Sequence, residues 1–230
     1  MKLLAIETAT EACSAALLVN GEIRQRYAIA PREHAQRILV MVDELMAEAQ
    51  FKPTQLDAIA FGRGPGSFIG VRVAAGVTQG IAYSADLPVA PISTLAAIAQ
   101  SSGLDRVLVA IDARMGEIYW GQFERHSGEH TVVATSEEGL VKPDQLIVTQ
   151  LSEAQPQPKP WFGVGTGWQA YHDQLVGRFP QVKPSADHLY PSAKSVAELA
   201  IPVVEAGHTV SAEQAVPVYL RDRVAEKPAQ

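Results

Sequence analysis

The sequence is poor in three things, and each shortage excludes something. A single cysteine, Cys13, stands among 230 residues, so no internal disulfide can form and a reducing compartment is expected. Apolar runs are short: Ile38–Val42 and Val107–Ile111 stop at five residues, against about 20 for a bilayer span. Near the N-terminus, Glu7 interrupts Leu3–Ile6 well before the ~7–15 residues of a secretory signal core. Basic residues are outnumbered: 19 Lys and Arg against 25 Asp and Glu give a net charge of −6. That balance argues against a stand-alone nucleic-acid binder, which needs a basic surface to displace counterions from phosphates. A cytoplasmic protein without membrane contact is therefore expected.

What is present is ordinary globular material. At 47% hydrophobic and 19% charged residues, the chain can bury a core and is neither a disordered tail nor a coiled coil. Leu3–Ile6 and Cys13–Val19 read as strands. Asn20-Gly21 is a hairpin signal leading into a third strand, Glu22–Tyr27, so an antiparallel meander is predicted. A helix follows over Arg32–Ala49. Its apolar residues cover an arc of roughly 160°, wider than the stripe of a helix packed on one neighbour. One edge is expected to face the sheet. The other, with His34, Met41 and Leu45, is expected to be free for a second contact.

Asp57–Gly62 reads as a strand, and Val71–Ser84 as a helix that tolerates Gly76 and Gly80. Each glycine costs about 1 kcal/mol in a helix interior, and Ala74, Ala75 and Thr78 are also small, so close approach by another backbone is expected. Pro88–Pro91 is a connecting strand and Thr94–Gln100 starts a third helix. A second strand, turn, strand pattern begins with Val107–Ile111, the turn Asp112–Gly116 and Glu117–Phe123, with Thr131–Thr135 pairing back. Gln155–Pro160, proline at every second position, is an extended connector. Phe162–Val164 is a strand, Ser192–Ala206 a helix, and the tail beyond Leu220 is charged and loose.

The main chemical signal is the loop Gly64-Pro65-Gly66-Ser67-Phe68-Ile69-Gly70 between a strand and a helix. Such a loop can turn backbone N–H groups toward an anion, with Arg63 and Arg72 supplying charge beside Gly64, Gly66, Ser67 and Gly70. It lacks the Lys-Ser/Thr pair of a phosphate-binding P-loop, and the same glycines also serve a tight turn. Glu7-Thr8-Ala9-Thr10 can position a cation and phosphate, but it reads more readily as a hydrogen-bonded polar turn. His126 and His130 have metal-ligand spacing only on a helix, and Ser127-Gly128 marks a turn between them. Asp112 and Arg114 serve either a ligand or a local ion pair. No nucleophile has an evident histidine partner, so no catalytic set and no metal site are assigned.

Several of these segments together resemble one known family. They are Leu3–Thr10, Pro31–Gln36, Gly62–Arg72, Ala110–Trp120, Gly163–Trp168 and Pro217–Arg221, and they closely resemble the TsaB (YeaZ) family along nearly the whole chain. The resemblance implies an actin-like ATPase (ASKHA) α/β fold of two lobes, 1–104 and 105–230, each a mixed β-sheet flanked by helices, with the last helix able to pack back on the first lobe. It implies a non-catalytic scaffold in forming N6-threonylcarbamoyladenosine at position 37 of tRNA. The partners implied are TsaD, which transfers the threonylcarbamoyl group from its adenylate, the ATPase TsaE, and a second copy of the chain when TsaD is absent. No cofactor of its own is implied: ATP or ADP enters only in complex with partners, and tRNA is contacted indirectly. The predicted partner contact is a four-helix arrangement using His34, Ile38, Met41 and Leu45 with Ala74, Ala75 and Thr78. Glu7 and Ile69 depart from the Asp and Thr common in the family and weaken nucleotide binding by this lobe alone. Two rivals remain, an ATP-hydrolysing or kinase-like enzyme using Gly64–Gly70, and a metal-dependent peptidase.

Overall fold

The computed structural model describes residues 1–148, 151 and 159–221. Most of the proline-alternating connector and the tail beyond Arg221 lie outside the described residues.

The first sheet is built from β1 (Lys2–Glu7), β2 (Ala12–Val19), β3 (Glu22–Ile29), β4 (Ala58–Gly62) and β5 (Val89–Ile92), in the order β3-β2-β1-β4-β5. The predicted meander is present: β1 pairs antiparallel with β2, and β2 with β3. On its other side β1 runs parallel to β4, and β4 to β5. The expected connector at Pro88–Pro91 is thus a full member of the sheet, displaced by one residue.

The second sheet repeats this plan. Its strands are β6 (Arg106–Arg114), β7 (Glu117–Glu124), β8 (Val133–Ala134), β9 (Gly139–Val141), β10 (Trp161–Val164) and β11 (Val182–Pro184). The order is β11-β10-β6-β7-β8, with β9 also pairing β7. As in the first sheet, the first strand has an antiparallel hairpin on one side and parallel strands on the other. β6 continues to Arg114, so the expected Asp112–Gly116 turn shrinks to the hairpin tip. Within the expected return strand Thr131–Thr135, only Val133 and Ala134 pair.

Among the described residues there are six α-helices: α1 (His34–Ala49), α2 (Phe68–Ala85), α3 (Thr94–Ser102), α4 (Thr166–Ala170), α5 (His172–Arg178) and α6 (Ala193–Glu205). Strand alternation decides where they pack, because successive side chains point to opposite faces. Leu3 and Ala5 of β1, with Ala16, Ala58, Ala60 and Ala90, form the inner face of the first sheet. This alanine floor lets α6 lie close, with Ala193, Ala197 and Ala200 falling on one side of that helix. The same cluster includes Leu95 and Ile98 of α3 and Val107, Val109 and Ile111 of β6. The two sheets therefore share one buried layer, in which each full leucine or isoleucine burial contributes roughly 1.5–3 kcal/mol.

The opposite face of the first sheet, Leu4, Ile6, Leu17, Ile59 and Phe61, is covered by α1 and α2. That of the second sheet, including Leu108 and Ala110, is covered by α4 and α5 through Trp168, Leu175 and Phe179. The result is five alternating layers of helix and sheet.

This packing corrects the reading of α1. The edge expected to be free is buried within the chain: Ile38 and Leu45 are 0% and 1% exposed, and His34 and Met41 no more than 9%. The arc is wide because α1 has two neighbours, lying on β2 while its side meets α2. Ala74, Ala75 and Thr78 of α2 are likewise buried, on the side of that helix turned toward the sheet.

Candidate interaction site

Two surfaces compete as the functional site: the cleft between the lobes and the outer face of the α1–α2 layer.

The cleft has a volume of about 590 Å³ and is lined by Thr10, Gly66, Ser67, Asp112, Arg114 and Arg221, among others. Of the residues singled out for an anion, only Gly66 and Ser67 line it. The loop glycines have another cause. A Cβ on Gly66 would overlap the carbonyl of Ala9, and one on Gly70 would overlap that of Thr8. Ser67 N–H donates to the Ala9 carbonyl at 2.7 Å, and Thr8 Oγ1 donates to the Gly70 carbonyl at 2.7 Å. Glycine is needed so that the loop can lie on the β1–β2 turn. Ser67 Oγ meanwhile accepts from Gly70 N–H at 3.0 Å, capping α2.

Neither flanking arginine turns into the cleft. The Arg63 guanidinium lies 4.0 Å from Glu138, a carboxyl raised above its ordinary range by burial. Arg72 donates to the Phe68 carbonyl at 2.7 Å and lies 3.4 Å from the centre of the Phe68 ring and 4.8 Å from that of Tyr219.

The two arginines that do line the cleft are engaged. Arg114 pairs with Asp112 at 2.9 Å and with Glu11 at 3.5 Å, so the expected local ion pair is present, at a place where both residues line the cleft. Arg221 donates to the carbonyls of Ala113 and Arg114 at 3.1 and 3.4 Å and pairs with Glu117 at 2.8 Å. In the sequence Arg221 is only the end of the matching segment Pro217–Arg221 and has no assigned role, because its partners lie more than a hundred residues earlier.

Glu7 is fully buried at the end of β1, and burial pushes its carboxyl from 4.5 to about 7. It accepts from Ala9 N–H at 2.6 Å and from the Thr94 hydroxyl at 3.2 Å. His126 and His130 sit on an exposed turn. Among the described residues no group of three His, Cys, Asp or Glu is placed to hold a metal ion. Nor is any helix there long and apolar enough to cross a membrane.

The outer face of α2 is different in character. Ile69, Gly76, Gly80 and Tyr83 follow one another at steps of seven, four and three residues, which places them on one side of a helix. Ile69 and Tyr83 are 71% and 75% exposed, and a Cβ on either glycine would meet nothing within 4 Å. On α1, Leu39 and Val40 are half exposed. The glycines were legible in the sequence as small residues. Their outward direction was not, because the helix was expected to begin at Val71, which left Ile69 in the loop, whereas α2 begins at Phe68.

Two lobes with one strand order, sharing a middle helical layer and with a cleft between them, define an actin-like (ASKHA) α/β protein. Known proteins carry the same features. A sequence model of the family described as "TsaD: tRNA N6-adenosine threonylcarbamoyltransferase" matches residues 25–229. The chain is 42% identical to the tRNA threonylcarbamoyladenosine biosynthesis protein TsaB of Escherichia coli (strain K12), over 99% of this chain and 97% of that protein. Identity to the protein of that name from Haemophilus influenzae is 41%, over 99% and 96%. The solved structure of YeaZ from Pseudomonas aeruginosa superimposes with a TM-score of 0.85 at 43% identity, covering 95% of this chain and 99% of that one. The chain belongs to the TsaB (YeaZ) family.

Proposed function

We propose that this chain is a non-catalytic scaffold in the formation of N6-threonylcarbamoyladenosine on tRNA, and that it pairs with TsaD through the outer face of α1 and α2. The observation that carries the reading is the exposed stripe Ile69, Gly76, Gly80 and Tyr83 on α2, with Leu39 and Val40 half exposed on α1. Two helix-interior glycines open to solvent are a stability cost that contact with a second backbone offsets. The partner is chosen by kinship: the family model matching this chain bears the TsaD name, so TsaD presents counterparts of α1 and α2 to the same face. A second copy of this chain would present the same helices when TsaD is absent. TsaE joins the pair, and tRNA is reached through these partners, in keeping with the net charge of −6.

The cleft supports the non-catalytic half of the reading. Its arginines are held by Glu11, Asp112 and Glu117, and its glycine loop is filled by the Thr8–Ala9 turn. Nucleotide binding is accordingly assigned to the assembled complex.

Gly80→Lys tests the site. The position is open, so the variant folds, while a buried lysine without a partner opposes docking. Light scattering after mixing with TsaD, and threonylcarbamoylation of tRNA by the reconstituted set, are both expected to show loss. Undiminished heterodimer would place the contact elsewhere.

A further inference from the structure

The tip of the β6–β7 hairpin is strained. Arg114 and Met115 have φ of +63° and +57°, followed by Gly116 at +75°. Two consecutive non-glycine residues in the left-handed region are costly, and such strain persists only where the surroundings hold it. Two side chains hold it: the Asp112 carboxylate accepts from Arg114 N–H at 2.9 Å, and Arg221 supplies the contacts from outside the hairpin. Arg221 donates to the carbonyls of Ala113 and Arg114 and approaches Met115 Sδ at 3.0 Å. Glu117 anchors the guanidinium at 2.8 Å, with both side chains largely shielded from solvent.

Arg221 belongs to a segment that reaches both lobes. Val218 N–H donates to the Arg63 carbonyl at 2.8 Å, at the end of β4, and the Tyr219 ring stacks on Arg72 in the first turns of α2. The short helix Ala212–Gln214 just before it packs on α2. From the hairpin, Arg114 reaches back to Glu11 of the first lobe. The contacts thus form a closed circuit: α2 and β4, the segment Val216–Arg221, the strained hairpin, and the β1–β2 turn.

We propose that Val216–Arg221 is a clasp that holds the strained hairpin of the second lobe against α2, so that the set of the lobes and docking on α2 are thermodynamically coupled. The coupling half rests on the docking face proposed above. If the clasp favours the arrangement of α2 that the partner binds, then loosening it weakens docking, and docking in turn tightens the hairpin, because linkage is reciprocal.

Hydrogen exchange on the full chain tests the clasp by itself. In Arg221→Ala, amides from Ala113 to Glu117 are expected to exchange about tenfold faster, with β1 and β2 unchanged. Titration with TsaD then tests the coupling: affinity is expected to fall about fivefold, and TsaD bound to the unaltered chain is expected to slow exchange of the same amides. Glu117→Gln, which removes the anchor and leaves Arg221 in place, is expected to reproduce both effects more weakly. It also serves if Arg221→Ala does not fold. Unchanged hairpin exchange in both variants would overturn the clasp. A loosened hairpin with unchanged TsaD affinity would overturn the coupling. Failure of the docking face is read separately, from undiminished TsaD binding by Gly80→Lys, which leaves the exchange result standing.

Discussion

The carboxylate of Glu7 lies against the bare α-carbon of Gly62, in the space that a side chain there would fill. The two residues end adjacent parallel strands, so a glutamate at the end of β1 and a glycine at the end of β4 form one packing decision. Gly62→Ala is expected to drive the carboxylate off its bonds to Ala9 and Thr94, at a cost of about 1–3 kcal/mol. Denaturant unfolding measures this, and a midpoint equal to that of the unaltered chain would refute it.

Glu7 also sets a pH dependence. In the unfolded chain the carboxyl loses its proton near the ordinary 4.5, and in the folded chain near 7, because burial outweighs its hydrogen bonds. Between those values the folded state binds the extra proton, so this group's contribution makes stability fall as pH rises through the window and level off above it. The expected fall is on the order of 3 kcal/mol. Glu7→Gln can keep an acceptor for Ala9 N–H without the charge, so the difference between the two proteins is expected to grow from pH 5 to pH 8 in favour of the variant. Parallel unfolding curves at both pH values would show that Glu7 is not the titrating group.

Leu45 separates core from contact surface. It is 1% exposed within the chain, so Leu45→Ala is expected to destabilise the fold by about 2–5 kcal/mol. Whatever association survives below the new melting temperature should have its original affinity. Calorimetric melting together with light scattering on cold samples distinguishes this from weakened association in a stable fold.

How much of this was legible in the sequence depended on the range of the interaction. The apolar runs Leu3–Ile6 and Val107–Ile111 and the Asn20-Gly21 turn are local signals, and the two runs lie inside β1 and the longer β6. The α1 arc was legible as an apolar face, but its width carried no label for its second neighbour, which is α2 of the same chain. Gly66 and Gly70 looked like a cradle for an anion because spacing cannot show the Ala9 and Thr8 carbonyls that fill the space. Arg221 was silent because a lone arginine gives no sign of a hairpin a hundred residues away. Gly76 and Gly80 were partly readable, as small residues, but their direction was not, because the expected helix began after Ile69 and α2 begins at Phe68.

Ser67 offers a check on the altered meaning of the glycine loop. Its hydroxyl accepts from Gly70 N–H at 3.0 Å, so Ser67→Ala is expected to cost about 1 kcal/mol of stability as a lost helix cap. The same substitution should leave the nucleotide response of the isolated chain unchanged. Calorimetric titration with ATP before and after the change would expose a phosphate role if one existed.

The alanine floor of the first sheet has a consequence for synthesis on the ribosome. Strands β1 to β5 are complete by Ile92, yet the helix that covers their inner face, α6, ends at Glu205. The intervening stretch takes on the order of ten seconds to translate at about 5–20 residues per second. Once β5 has emerged, the nascent first lobe carries a bare apolar sheet face until α6 follows it. That makes it a natural client for chaperones that bind emerging chains, and it ties completion of the first sheet to a helix far downstream in the chain.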